Sequence, residues 1–210
     1  MSDGILIFGI SLEIWALIIS FIAIIFTLLK DFILPIFFKP KLDFNFENSG
    51  PYRRTNIRIF NAPQNIYGTF LRFKVSNSGR KPAMNCRCQV LKIEDNNHQL
   101  FGDYQGFPLR WASRPESIIN QASGERLNIG IGETEFIDIA YTANNHSNII
   151  LQKYHNVQIG ILEVVPHGEY FIYLLFSGDN FKPYTLIFHI NKSNNTNPND
   201  IELELVNTNH

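Results

Sequence analysis

Few residues in this chain have the types and spacing that catalysis demands. Cys86 and Cys88 lie two apart, so on one extended strand they point the same way and cannot form an ordinary disulfide. They could ligate a metal together with a distant histidine, but structural zinc takes about four ligands and nothing in the sequence pairs with them. They read instead as two small apolar core residues. His98, His146, His155, His167 and His189 are scattered. A nucleophile with one of them as base stays open, since triad members meet in space rather than in sequence. The chain has no P-loop, no G-x-S-x-G, no H-E-x-x-H and no dinucleotide fingerprint, which argues against nucleotide hydrolysis by the usual route. The expectation is a non-enzymatic protein with no metal and no cofactor.

The cluster best suited to binding is Phe107-Pro-Leu-Arg-Trp-Ala-Ser-Arg-Pro115. Arg110 and Arg114 flank Trp111, and guanidinium forks beside an aromatic plane grip phosphates, carboxylates or partner chains. The alternative is structural: Trp111 plugs the end of the fold and the arginines hydrogen-bond loop carbonyls. No basic stripe with interleaved aromatics extends beyond Arg53 and Arg54, so nucleic acid is not an expected partner.

A second informative segment is apolar. Between Ile5 and Leu29 Glu13 is the one ionisable residue, and a helix of roughly 25 residues at about 1.5 Å each would cross a hydrocarbon core of about 30 Å. Met1 to Leu12 holds no Lys or Arg and no A-x-A-like exit follows, unlike a cleaved signal peptide. A single spanning helix is therefore expected. If the span begins at Ile5, Glu13 lies inside the bilayer and becomes a handle for self-association. If it runs from Leu12 to Leu34, Glu13 and Trp15 sit at the outer interface and Lys30 snorkels to the inner one. Pro35 ends or kinks the helix. Phe37, Phe38, Lys39 and Lys41 then form an interface that adheres to anionic lipid.

Orientation follows from the bases. Lys30, Lys39, Lys41, Arg53 and Arg54 follow the span and none precedes it, so the N-terminus is expected outside and the C-terminal domain in the cytoplasm. Three N-x-S/T triplets, at Asn145, Asn191 and Asn194, would imply the opposite side if glycosylated, but an Asn-rich chain produces them by chance.

Beyond Leu42 the period changes to two. Leu71, Phe73 and Val75 alternate with Arg72 and Lys74, and Met84, Cys86, Cys88 and Val90 alternate with Asn85, Arg87 and Gln89, as in half-buried strands. Further strands are expected over Leu42–Glu47, Thr55–Phe60, Glu135–Tyr141, Val157–Val165, Tyr170–Phe176, Tyr184–Ile190 and Ile201–Val206. The turn formers of Asn77 to Pro82 join two adjacent strands, Pro166-His-Gly168 forms a hairpin turn, and Asn96 to Asn128 is a long rim connection. The fold class is mainly β: an N-terminal transmembrane helix over 1–41, an antiparallel immunoglobulin-like sandwich over 42–206 (alternatively a small β-barrel), and a frayed tail over 207–210.

The run Phe70-Leu-Arg-Phe-Lys-Val-Ser-Asn-Ser-Gly-Arg-Lys-Pro-Ala-Met-Asn-Cys86 resembles the strand, Asn-x-Gly turn and Ala-containing strand of immunoglobulin-like bacterial modules of the CARDB kind. The resemblance implies a binding or adhesion sandwich. Three functions are consistent with these readings. The first is a membrane-tethered cytoplasmic module that binds a partner protein or small ligand through its rim. The second is a prokaryotic defence-type effector whose helices cluster and damage the bilayer. The third is an extracellular adhesion module, which requires the opposite topology.

Overall fold

A computed structural model describes residues 6–7, 10–33, 38–59, 66–102, 106, 108–113, 126–152 and 164–209. The chain divides into two units, Met1–Lys39 and Pro40–His210.

In the first unit, β1 (Leu6–Ile7) and β2 (Ile10–Ser11) pair antiparallel and lead into α1 (Leu12–Leu28), which continues as a π-helical stretch over Leu29–Ile33. The helix starts at Leu12, so Glu13 occupies its first turn, where a carboxylate complements the partial positive charge of the helix N-terminus. Glu13–Asp31, 19 residues, is long and apolar enough to cross a membrane. Its large side chains are exposed, Leu17 and Phe26 each by 70 %. Ser20 Oγ and Thr27 Oγ1 donate to the carbonyls of Ala16 and Ala23 at 2.8 and 2.9 Å, so neither hydroxyl presents an unpaired donor.

The second unit is a sandwich of two antiparallel sheets that do not close into a barrel. In chain order its strands are β3 (Leu42–Asn45), β4 (Arg53–Arg58), β5 (Tyr67–Asn77), β6 (Ala83–Asp95), β7 (Arg110–Trp111), β8 (Leu127–Ile129), β9 (Thr134–Ala143), β10 (Ile149–Leu151), β11 (Val164–Val165), β12 (Gly168–Ser177), β13 (Tyr184–Lys192) and β14 (Ile201–Asn209). The first sheet runs β11-β10-β9-β5-β3, with β4 beside the first half of β5 and β7 beside β9. The second runs β14-β13-β12-β6-β8.

The period of two predicts which side chains enter the core. Leu71, Phe73 and Val75 of β5 and Ile137 of β9 meet Cys86, Cys88 and Val90 of β6, Leu174 and Phe176 of β12, and Leu186 and Phe188 of β13, all 0–1 % exposed. Phe73 lies 5.2 Å from Phe188 between ring centroids, a contact across the two layers. Burying one such side chain is worth about 1.5–3 kcal/mol.

The connections differ from expectation. The Asn77 turn does not join neighbouring strands, because β5 and β6 belong to different sheets. Asn77, 1 % exposed, holds this crossing: its Nδ2 donates to the carbonyls of Lys81 (2.8 Å) and Ile129 (3.1 Å), and its Oδ1 accepts from the N–H groups of Gly79 (3.0 Å) and Lys41 (3.2 Å). Pro166-His-Gly168 is likewise not a hairpin, since β11 pairs with β10 in the first sheet while β12 lies in the second. Of the strand expected over Val157–Val165, only Val164 and Val165 fall within the described residues. The segment Asn96 to Asn128 contributes β7 and most of β8, with bridges Glu94↔Leu100 and Gln89↔Pro108. The expected frayed tail is strand through Asn209, paired with Thr185.

Candidate functional site

Adjacent residues of a strand point to opposite faces, and this separates the arginine and tryptophan that the sequence suggested would act together. Trp111 pairs with Ile137, is fully buried, and packs edge-on at 6.1 Å from Phe176. It fills the core and is inaccessible to a ligand. Arg110 pairs with Asp138 on the outer face of the first sheet, and Arg114 lies outside the described residues. The Arg110–Trp111 grip is therefore not formed.

The outer face gathers a different set. Arg72 of β5 and Arg110 of β7 are both register partners of Asp138 on β9, so a guanidinium flanks the carboxylate on each side in one row across three strands. Arg72 Nη2 stands 2.8 Å from Asp138 Oδ1, with side chains 13 and 3 % exposed. Among the described residues Arg72 Nε is buried and has no hydrogen-bond partner. Arg54, exposed, pairs with Phe70 in the next row. Burial pushes the Asp138 carboxyl above the usual aspartate range, although Arg72, Arg110 and Arg54 all pull it down. Burial lowers Arg72 as well, with Arg54 and Arg110 acting in the same direction and Asp138 opposing them. The row is bordered by the stacked pair Phe70–Tyr141 (5.1 Å) on one side and by Lys74, 5.8 Å above the Tyr52 ring, on the other.

The outer face of the second sheet carries an unlike set. Phe171 is flanked by the rings of His98 and His189, each at 5.0 Å. His189 Nε2 is 2.8 Å from Glu169 Oε1. Lys92 lies 4.2 Å over the Tyr173 ring and hydrogen-bonds Glu94, which holds the Glu94 carboxyl below its usual range.

The remaining residues considered for chemistry are dispersed. Cys86 and Cys88 are free and buried in the core. Burial pushes the Cys86 thiol up to about 12 and the Cys88 thiol higher still, so neither supplies a thiolate nucleophile. Ser147 Oγ and His167 Nδ1 are 3.5 Å apart on the surface, and among the described residues no carboxylate orients that imidazole. Among the described residues no group of three or more His, Cys, Asp or Glu could hold a metal. His155 and Phe37 lie outside the described residues, while Phe38, Lys39 and Lys41 are exposed.

No protein-family model matches the chain, and no curated protein or solved structure is significantly similar to it.

That Arg54, Arg72 and Arg110 share one outer face escaped the sequence reading because they come from three separate segments. One signal was available. Asp138 interrupts the apolar run Phe136-Ile-Asp-Ile-Ala140, and a carboxylate so placed in a strand needs a cationic partner.

Proposed function

We propose that this protein is a membrane-tethered, non-enzymatic binding module whose sandwich lies in the cytoplasm. The observation that carries this reading is the helix over Glu13–Asp31, apolar along its length with its large side chains exposed. Surface of that kind is costly in water at about 25 cal/mol per Å² and favourable in lipid. The bases support the orientation, since Lys30 stands at the C-terminal end of the helix and Lys39, Lys41, Arg53 and Arg54 follow it. Phe38 beside Lys39 and Lys41 suits an anionic headgroup layer. The resemblance of Phe70 to Cys86 to CARDB-type modules supports binding rather than catalysis. Tethering is the mechanism: it confines a recognition event to the membrane surface.

The test is labelling with a membrane-impermeant maleimide in intact cells, using single probes at Ser2→Cys and at Asn96→Cys in an exposed turn. The native cysteines can stay, because buried thiols of raised pKa do not react. Labelling at Ser2→Cys, with Asn96→Cys reacting only after permeabilisation, is the expected result. The reverse pattern would overturn the orientation and make surface adhesion the leading function.

A second reading, a membrane-disrupting effector, is favoured by one feature of α1. Glu13, Ala16, Ser20, Ala23, Thr27 and Lys30 recur at alternating spacings of three and four, a single face of small and polar residues that permits close helix approach. On this reading overexpression is toxic and Glu13→Leu relieves the toxicity. Undiminished toxicity in that variant counts against an intramembrane role for the carboxylate.

A further inference from the structure

We propose that the outer face of the first sheet, around Arg54, Arg72 and Arg110, binds a phosphate-bearing anion. The inference rests on the binding-module reading above, though not on the orientation of the helix.

Three guanidiniums drawn from β4, β5 and β7 converge around Asp138, and the electrostatic influence of all three reaches that one carboxylate. Arg72 is in direct contact with that carboxylate. The row Arg72–Asp138–Arg110 is fixed by backbone pairing of three strands, so its side chains are held in place by the sheet rather than by a loop. Arg72 and Arg110 each lie directly opposite Asp138, at about 4.5–5.5 Å between Cβ atoms, so the two arginines are two strands apart and it is their long side chains that bring the forks toward one oxyanion. Arg54 on the next row is exposed and gives a ligand its first contact. Lys74, two residues beyond Arg72 on the same face, adds a further cation. Guanidiniums gathered on a half-buried face favour the binding of an anion, and among the described residues the buried Arg72 Nε–H has no acceptor. Guanidinium forks match the oxygens of a tetrahedral phosphate bidentately, which a monovalent halide cannot exploit. Asp138 has a positioning role: it bonds Arg72 on one side and stands between it and Arg110.

The phosphate could belong to a free molecule or to a lipid headgroup, and one experiment separates the two. The full chain is reconstituted in phosphatidylcholine nanodiscs and its thermal unfolding followed while inorganic pyrophosphate is titrated, with sodium chloride at matched ionic strength as the control. Ligand that binds only the folded state raises Tm by mass action. The expected result is a saturable rise with pyrophosphate and none with chloride. Arg54→Gln should weaken the effect at least tenfold, as should the charge-balanced double variant Arg72→Gln/Asp138→Asn, which leaves no carboxylate buried alone. Lys182→Gln, at an exposed position between β12 and β13 of the other sheet, should leave it unchanged. A Tm indifferent to pyrophosphate, a response shared equally by chloride, or full retention of the effect in both arginine variants would overturn the proposal. Repeating the titration in nanodiscs of anionic phosphatidylglycerol assigns the source. If that lipid alone raises Tm in an Arg54-dependent way and removes the pyrophosphate response, the ligand is a headgroup. If the pyrophosphate response persists, it is a free phosphate compound. Neither arm depends on which way the helix inserts, so a failed labelling experiment and a failed titration remain distinguishable.

Discussion

At the residue scale the pair Arg72 and Asp138 determines how the sandwich responds to charge. Asp138 is held above the usual aspartate range by burial, despite three nearby guanidiniums. A raised folded-state value means that the native protein binds its proton more tightly than the unfolded chain does. This group therefore contributes most to stability below its unfolded value, and the contribution fades as pH rises through the folded one. Removing the cation sharpens the effect. Arg72→Gln removes the guanidinium that bonds the buried carboxylate and leaves it only the flanking Arg110, which should cost about 3 kcal/mol at pH 7. Much of that loss should return on acidification toward the range where Asp138 is protonated, a recovery read from urea midpoints at pH 7 and pH 5. A loss independent of pH would indicate that packing, not charge, is what Arg72 supplies. The sequence showed Arg72 as the outward member of an alternating strand, but not its partner. Asp138 is 66 residues away by number, and pairing across strands is not written into either strand alone.

Among the elements, the strand with the most exposed position is β14, which ends the second sheet. An edge of nine residues invites pairing with another chain. Two side chains blunt it, Asn48 from the connection between β3 and β4 and Arg53 from β4. Asn48 Nδ2 donates to the Leu203 carbonyl at 3.1 Å, and Arg53 Nη1 donates to that of Ile201 at 2.7 Å, with Nη2 bonded to the Asn199 carbonyl. The double variant Asn48→Ala/Arg53→Met should lose about 1–3 kcal/mol for the carbonyls left without donors. It should also self-associate with rising concentration, as seen by light scattering of the detergent-solubilised chain. A monodisperse variant would mean that β14 is protected by other means. Arg53 was read from the sequence as one of the bases beside the membrane, since nothing nearby foretells a partner 148 residues on. The long alternating strands were legible for the opposite reason: β5, β6, β12 and β13 carry their inward and outward faces in their own sequences. The short ones, β7, β8 and β10, have two or three residues each and too few periods to register. Nor does a turn declare whether it keeps the chain in one sheet or carries it to the other, which is why both Asn77-Ser-Gly and Pro166-His-Gly were assigned to neighbouring strands.

For the molecule as a whole, the architecture of an apolar helix ahead of a β-sandwich was legible from composition and period alone. The candidate anion face was not, because it exists only once β4, β5, β7 and β9 are side by side. The labelling and titration experiments belong to this scale, one addressing where the sandwich resides and the other what it holds there. The hydrogen bonds from Asn48 and Arg53 to β14 carry a consequence for biogenesis. They span 155 and 148 positions of sequence, so they form only when nearly the whole described domain has been synthesised. At about 5–20 residues per second, the ribosome takes roughly 8–30 s to cover that interval. Once made, β5 waits for most of that time without the layer that will cover its apolar face. The sandwich is thus incomplete until its last strand is made, and its dependence on chaperones should be greatest during that interval.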